Sequence, residues 1–198
     1  MGYTDTFIIK DRSQAEVASL ARANLALFRE SAFSDFAKEG LYCYVYQGKG
    51  CSFMQMGHMA HEDRIFGLVP VQLGAVFAIV REQDGDSWQV SLYDRLEHIV
   101  TQNVNPWAFE PSPQTSEKDE TYRASRFADK WGMPVADIQG YFRYWRKKTA
   151  LKWTKRTGKA YPDDEHGYGD SLQSCDFMRR LGASLPAKAE VIKLTDKG

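Results

Sequence analysis

The 198-residue chain carries 43% apolar and 26% charged side chains, which excludes a wholly disordered chain, a collagen-like repeat and a disulfide mini-protein. Its 26 Lys and Arg balance 26 Asp and Glu, yet residues 1–121 carry a net −7, residues 122–161 a net +9 and residues 162–198 a net −2. Positive charge gathered in one block points to a polyanion site, or to contact between two oppositely charged parts.

Tyr3 to Lys10 reads as a short strand around Phe7, Ile8 and Ile9. Ser13, with Glu16 three residues on, forms a capping box. Val17, Leu20, Ala21, Leu25 and Ala26 recur at helical spacing and predict a helix to about Glu30, continuing in broken form through Phe36 towards Gly40. Leu41, Cys43 and Val45 then alternate with Tyr42, Tyr44 and Tyr46, and Gln47 to Gly50 is a turn back to a partner strand at Cys51 to Met56. Val76 to Glu82 and Trp88 to Tyr93, joined by Asp84-Gly85-Asp86, form the clearest hairpin. Pro106 to Glu120 holds three prolines and reads as a linker or long loop. Thr121 to about Trp153 reads as helices, and Leu172 to Leu181 as a last helix stopped by Gly182.

These elements predict an α+β fold: a small antiparallel sheet with an N-terminal helix, followed by a basic helical C-terminal part. The division expected is an acidic body over 1–105, a linker or loop over 106–120, a basic helical part over 121–185 and a tail over 186–198, or one integrated domain. Cys43, Cys51 and Cys175 make an odd count, which favours a reducing compartment. The N-terminus lacks the pattern of a signal peptide. The most apolar stretch, Leu68 to Val80, is too short to span a bilayer. A cytoplasmic protein without a transmembrane segment is expected.

Residues 143–161 are the most informative. Arg143, Arg146, Lys147, Lys148, Lys152, Lys155, Arg156 and Lys159 are eight cations with no acid among them. Tyr144, Trp145, Trp153 and Tyr161 are interleaved. Cations neutralise phosphates and release counterions, and aromatic rings stack on unpaired bases. The leading expectation is a nucleic-acid partner, DNA favoured, bound by 143–159. The competing reading is a basic helix with Trp145 and Trp153 in a core and its cations solvated.

Just upstream, Phe127 to Ile138 resembles a helix-turn-helix. Ala128 stands at the small contact position, Gly132 at the left-handed turn and Ile138 at the aliphatic position of the second helix. The resemblance implies recognition positions at Asp137, Gln139, Gly140 and Arg143. An ordinary helical hairpin in a core is the alternative. The segment Ile138-Gln139-Gly140-Tyr141-Phe142-Arg143 also resembles the I-x-G-x-x-R core of the ParB/sulfiredoxin superfamily, which includes partition proteins, nucleases and fertility-inhibition proteins of conjugative plasmids. Gln139 replaces the usual acid, and Phe142 stands where His is common. That resemblance implies phosphate binding at Gly140 and Arg143, with nucleotide-dependent nuclease activity.

Asp163, Asp164 and His166 follow directly and are candidate metal or acid/base groups for such a nuclease, with Mg²⁺ and ATP as the cofactors implied. A polar turn is the simpler reading of that run. His58 and His61 are candidates for acid/base work or, with Cys43 and Cys51, for a zinc set whose spacing is unusual. Tyr42, Tyr44 and Tyr46 are either a stacking platform or packing under a helix. A third class of function is a small inhibitor or adaptor that binds a protein partner through the charge asymmetry. Dinucleotide, P-loop and α/β-hydrolase motifs are absent from the sequence.

Overall fold

The computed structural model describes residues 3–24, 42–56, 68–83, 87–104, 117–142, 171–184 and 188–193. Seven antiparallel strands form one sheet in the order β6-β5-β4-β1-β3-β2-β7. The strands are β1 (Tyr3–Lys10), β2 (Tyr42–Gln47), β3 (Cys51–Met56), β4 (Val76–Gln83), β5 (Ser87–Asp94), β6 (Glu97–Val104) and β7 (Glu190–Lys193). Four α-helices are described: α1 (Gln14–Ala23), α2 (Leu68–Gln72), α3 (Glu117–Trp131) and α4 (Ser171–Arg180). The fold is α+β.

β1 is the middle strand, paired with β3 on one side and β4 on the other. A strand covered on both faces reads as an unbroken apolar run. Phe7, Ile8 and Ile9 are accordingly all fully buried. Phe7 and Ile9 face α1, where they meet Val17, Ala18, Ala21, Cys43, Val45 and Met54. Ile8 faces the other way, into a larger core that α3 and α4 supply.

That larger core is the helical layer's reason to sit on the sheet. Along α3, Ala124, Phe127, Ala128 and Trp131 recur at spacings of three and four, so they line one face, and all are buried. Phe177 and Met178 do the same on α4, with Leu181 just beyond it. They close over Trp88, Val90 and Leu92, the inward set of β5. The Phe177 ring lies 5.3 Å from Trp88, 5.6 Å from Phe127 and 5.2 Å from Tyr141.

Both helix ends use glycine as a stop. Gly132 has φ +76° and Gly182 φ +99°, conformations that L side chains resist. Lys10 at the end of β1 donates from Nζ to the Lys130 carbonyl at 3.3 Å, which places a cation on the C-terminal carbonyls of α3.

The capping box at Ser13 and Glu16 is present, with Glu16 accepting from the Ser13 backbone N–H at 2.8 Å. The predicted hairpins over residues 42–56 and 76–94 are also present. Four elements differ from expectation. α3 starts at Glu117, inside the stretch 106–120 read as a linker or loop, of which residues 106–116 lie outside the described residues. α1 ends at Ala23, because Asn24 folds its amide onto the Leu20 carbonyl at 2.8 Å and onto Gln72 at 2.8 Å, and the broken continuation expected through Phe36 towards Gly40 lies outside the described residues. Leu68 to Gln72, within the residues 41–100 that read from sequence as strands, is a helical turn, with Val69 buried against the α1 layer. Residues 190–193, read from sequence as part of a tail, pair with β2 and bury Ile192.

Candidate nucleic-acid interface

The helix-turn-helix-like segment lies on the helical layer. Ala128 and Ile138 are fully buried, and Gly132 takes the left-handed turn. Beyond Pro134 the backbone forms two short 3-10 turns, Val135–Asp137 and Gln139–Phe142, where the resemblance implies an α-helix. Pro134 is extended, with ψ 136°, and Ile138 interrupts the two turns at φ −126°. A buried Ile138 followed closely by buried Tyr141 and Phe142 suits a three-residue turn, which brings residues three apart onto one side.

Tyr141 and Phe142 therefore point into the core, and Asp137, Gln139 and Gly140 lie towards solvent. Asp137 is exposed, and Gln139 and Gly140 are half-buried. Gly140 lacks a positive φ, and a methyl group added to it would meet nothing within 4 Å. Among the described residues, nothing requires a glycine there. Tyr141 donates from its hydroxyl to Asp176 and accepts from Arg180 Nε at 2.8 Å. Burial, then the Asp176 carboxylate, pushes the Tyr141 phenol well above its ordinary value. Tyr141 is thus a neutral strut between the 3-10 turn and α4.

Arg143, Arg146, Lys147, Lys148, Lys152, Trp153, Lys155, Arg156 and Lys159 lie outside the described residues, as do Asp163, Asp164 and His166. Their two flanks are well defined. Phe142, immediately before Arg143, is fully buried with its ring 5.6 Å from Phe127 and 6.5 Å from Phe177. Ser171, after the segment, starts α4, which packs on β4 and β5. The described chain thus stops at Phe142 and resumes at Ser171, both on the helical face of the sheet. The same layer exposes Arg179 and Arg180, each sharing the Asp176 carboxylate.

Sequence reasoning did not single out Glu82, a half-buried carboxylate of β4 beneath α4. Ser174 donates to it, and burial still pushes its carboxyl above the usual range. Its signal was a charge at an inward position of an otherwise apolar alternation, Ala78, Val80, Glu82.

The other candidates are separated. Cys43 belongs to the α1-side core and Cys51 to the opposite one, so the two thiols do not share a site. Burial pushes Cys43 up to about 12 and Cys51 up to about 11. His58 and His61 lie outside the described residues, among which no cluster of three metal-ligating side chains occurs. Of the three tyrosines on β2, Tyr46 stacks on Phe53 at 4.8 Å, and Tyr42 is 36% exposed. Among the described residues, no helix is long and apolar enough to cross a membrane.

No family model, curated protein or solved structure matches the chain.

Proposed function

We propose that the protein binds nucleic acid, DNA in the first instance, through the basic aromatic segment 143–159. The observation that carries this reading is eight cations without one acid over residues 143–161, in a chain whose first 121 residues are net acidic. Solvated helices mix charge signs, because opposite charges three or four apart stabilise each other. A stretch that forgoes every such pair is better matched to an external polyanion. Four interleaved aromatic side chains add stacking surface for unpaired bases.

Two structural facts support the reading. The described residues nearest the segment on either side, Phe142 and α4, pack on one aromatic core. Gly140, three residues before Arg143 in sequence, has no described atom within 4 Å of where a Cβ would stand, and such a glycine suits close approach of a phosphate.

The test is a titration of labelled single- and double-stranded DNA at 50 and 200 mM salt, with and without Mg²⁺ and ATP, followed by a denaturing gel. Each phosphate contact contributes about 0.9 to the slope of log K against log salt on duplex DNA. Replacing Arg146, Lys147 and Lys148 together by Ala should flatten that slope by about 2.7 and weaken binding at low salt. Unchanged slope and affinity would refute the proposal. Shortened DNA with Mg²⁺, lost on Asp163→Ala or Asp164→Ala, would extend it to a nuclease.

A further inference from the structure

Among the described residues, the helices cover the sheet unevenly. α1 lies against β2, β3 and β7 on one face, whereas α3 meets β6 and α4 meets β4 and β5 on the opposite face. On the α1 side, the β4–β5 half carries a cavity of about 360 Å³ beside α2. That volume is in the range of small-molecule sites.

The walls of this cavity are of two kinds. Phe77, Ile79 and Tyr93 form an apolar floor, and Leu68 and Val71 of α2 close one side. Phe77 and Tyr93 stack with centroids 5.1 Å apart and planes 13° apart, which makes that floor flat. Gln89 and Ser91 lie further along the sheet, and their polar groups already bond across to β6: Gln89 to Asn103 at 2.7 Å and Ser91 to Thr101 at 2.8 Å.

Two guanidinium groups line the cavity, Arg81 and Arg95. They are not equivalent. Arg81 is clamped by Asp5 through paired hydrogen bonds of 2.8 and 2.9 Å, so its charge is matched. Arg95 forms no ion pair with a described residue, and the neighbouring Asp94 is taken by Lys130 at 2.7 Å. The cavity therefore keeps at its exposed rim one guanidinium that no carboxylate bonds directly, with Asp94 its nearest charge in sequence, beside an aromatic floor.

The backbone at Arg95 adds an independent sign. Arg95 and Leu96 form the two-residue turn between β5 and β6, and Arg95 has φ +56°. Two-residue hairpins of this kind place Gly, Asn or Asp at positive φ, because a larger side chain is strained there. The chain keeps an arginine where glycine would relax the turn. Strain retained at a cavity rim is the mark of a side chain kept for what it contacts.

We propose that this cavity binds a small aromatic monocarboxylate, its ring on the Phe77–Tyr93 floor and its carboxylate on Arg95. One net charge selects a monoanion, and the flat floor selects a planar body. The guanidinium fork suits a carboxylate through paired hydrogen bonds. This site lies on the sheet face opposite α3 and α4 and does not depend on nucleic-acid binding.

The experiment is calorimetric titration of the full chain with 2-naphthoate, and with 2-naphthylmethanol as its uncharged counterpart. Wild type should bind 2-naphthoate saturably at one site, at least tenfold tighter than the alcohol. Arg95→Gly and Arg95→Ala should both lose that tenfold preference and leave the alcohol unaffected. Arg95→Gly should also melt about 2–4 °C above Arg95→Ala, because only glycine relieves the turn. Gln89→Trp, which fills the cavity, should abolish binding of both probes. No saturable binding of 2-naphthoate at millimolar concentration, or a naphthoate preference that survives both Arg95 variants, would overturn the proposal.

Discussion

Gly182 ties the end of α4 to the β2–β3 turn, and replacing it by Ala tests whether that junction holds the helical layer in place. The Lys49 N–H donates to the Gly182 carbonyl at 2.9 Å. A Cβ on Gly182 would stand 2.1 Å from the Lys49 carbonyl oxygen, a backbone atom that cannot swing aside. The residue also sits at φ +99°, outside the comfortable range of any L side chain. Backbone strain of about 1–3 kcal/mol and a weakened hydrogen bond of about 1 kcal/mol give a loss of about 3 kcal/mol. For a chain of this size that lowers Tm by about 6–12 °C. Gly50→Ala is the matched control, because φ there is +70° but a Cβ would meet nothing within 4 Å. Its cost is strain alone, about 1 kcal/mol and about 2–4 °C. Thermal melts of both variants, followed by far-UV circular dichroism, decide the matter. Equal shifts for the two would show that close approach at the junction contributes nothing and that the argument from Gly182 is wrong.

Gly140→Ala should leave Tm unchanged or raise it by a few degrees, since the unfolded chain loses freedom worth about 0.4–1 kcal/mol and no clash arises. The same variant should weaken DNA binding severalfold in the salt titration, and unchanged binding would remove Gly140 from the interface. Glu82→Gln tests the buried carboxyl. Burial raises the folded pKa of Glu82, so the folded state holds its proton more tightly than the unfolded chain. Its contribution is therefore fully favourable below the unfolded carboxyl pKa of about 4.3 and is lost as pH rises through the raised folded value. Denaturant melts should show Glu82→Gln gaining stability over wild type at pH 7 and little or nothing at pH 4. A constant difference across that window would mean that Glu82 titrates normally.

The fold was legible where local chemistry and tertiary packing agree. The strand around Phe7, Ile8 and Ile9 and the hairpin of Val76 to Glu82 with Trp88 to Tyr93 both carry their own local signal and are present. Gly182 gave the end of α4. The misses share a cause, which is partners distant in sequence. Asn24 ends α1 partly through Gln72, 48 residues away. β7 exists because β2 offers it an edge, and Glu190-Val191-Ile192-Lys193 has one buried side chain and little signal of its own. The site divides in the same way. The charge block over 143–161 is plain in the sequence because it is contiguous. The cavity on the other face was not, because Phe77, Tyr93 and Arg95 come from different strands and a turn. Arg95 in particular reads as a solvated charge until its φ is known.

Gly140 and Arg95 make opposite departures from what their backbones ask. At Gly140 the conformation accepts any L residue and the space is open, yet the chain has glycine, which costs conformational entropy without a steric return. At Arg95 the turn asks for glycine and the chain has a long cation. Sequences that fold well agree with their backbones at most positions, and departures concentrate where a residue serves something other than folding. The two departures lie in different parts of the fold. One precedes the basic segment on the α3 and α4 side, and the other rims an aromatic floor on the α1 side. The described helices cover opposite halves of the sheet's two faces, which places the two departures on different faces. The direct consequence is that the two proposals are separable: Gly140→Ala should change DNA affinity and leave naphthoate binding intact, and Arg95→Gly should do the reverse. Loss of both functions in either single variant would show that the two faces are coupled and that neither residue acts as a local contact.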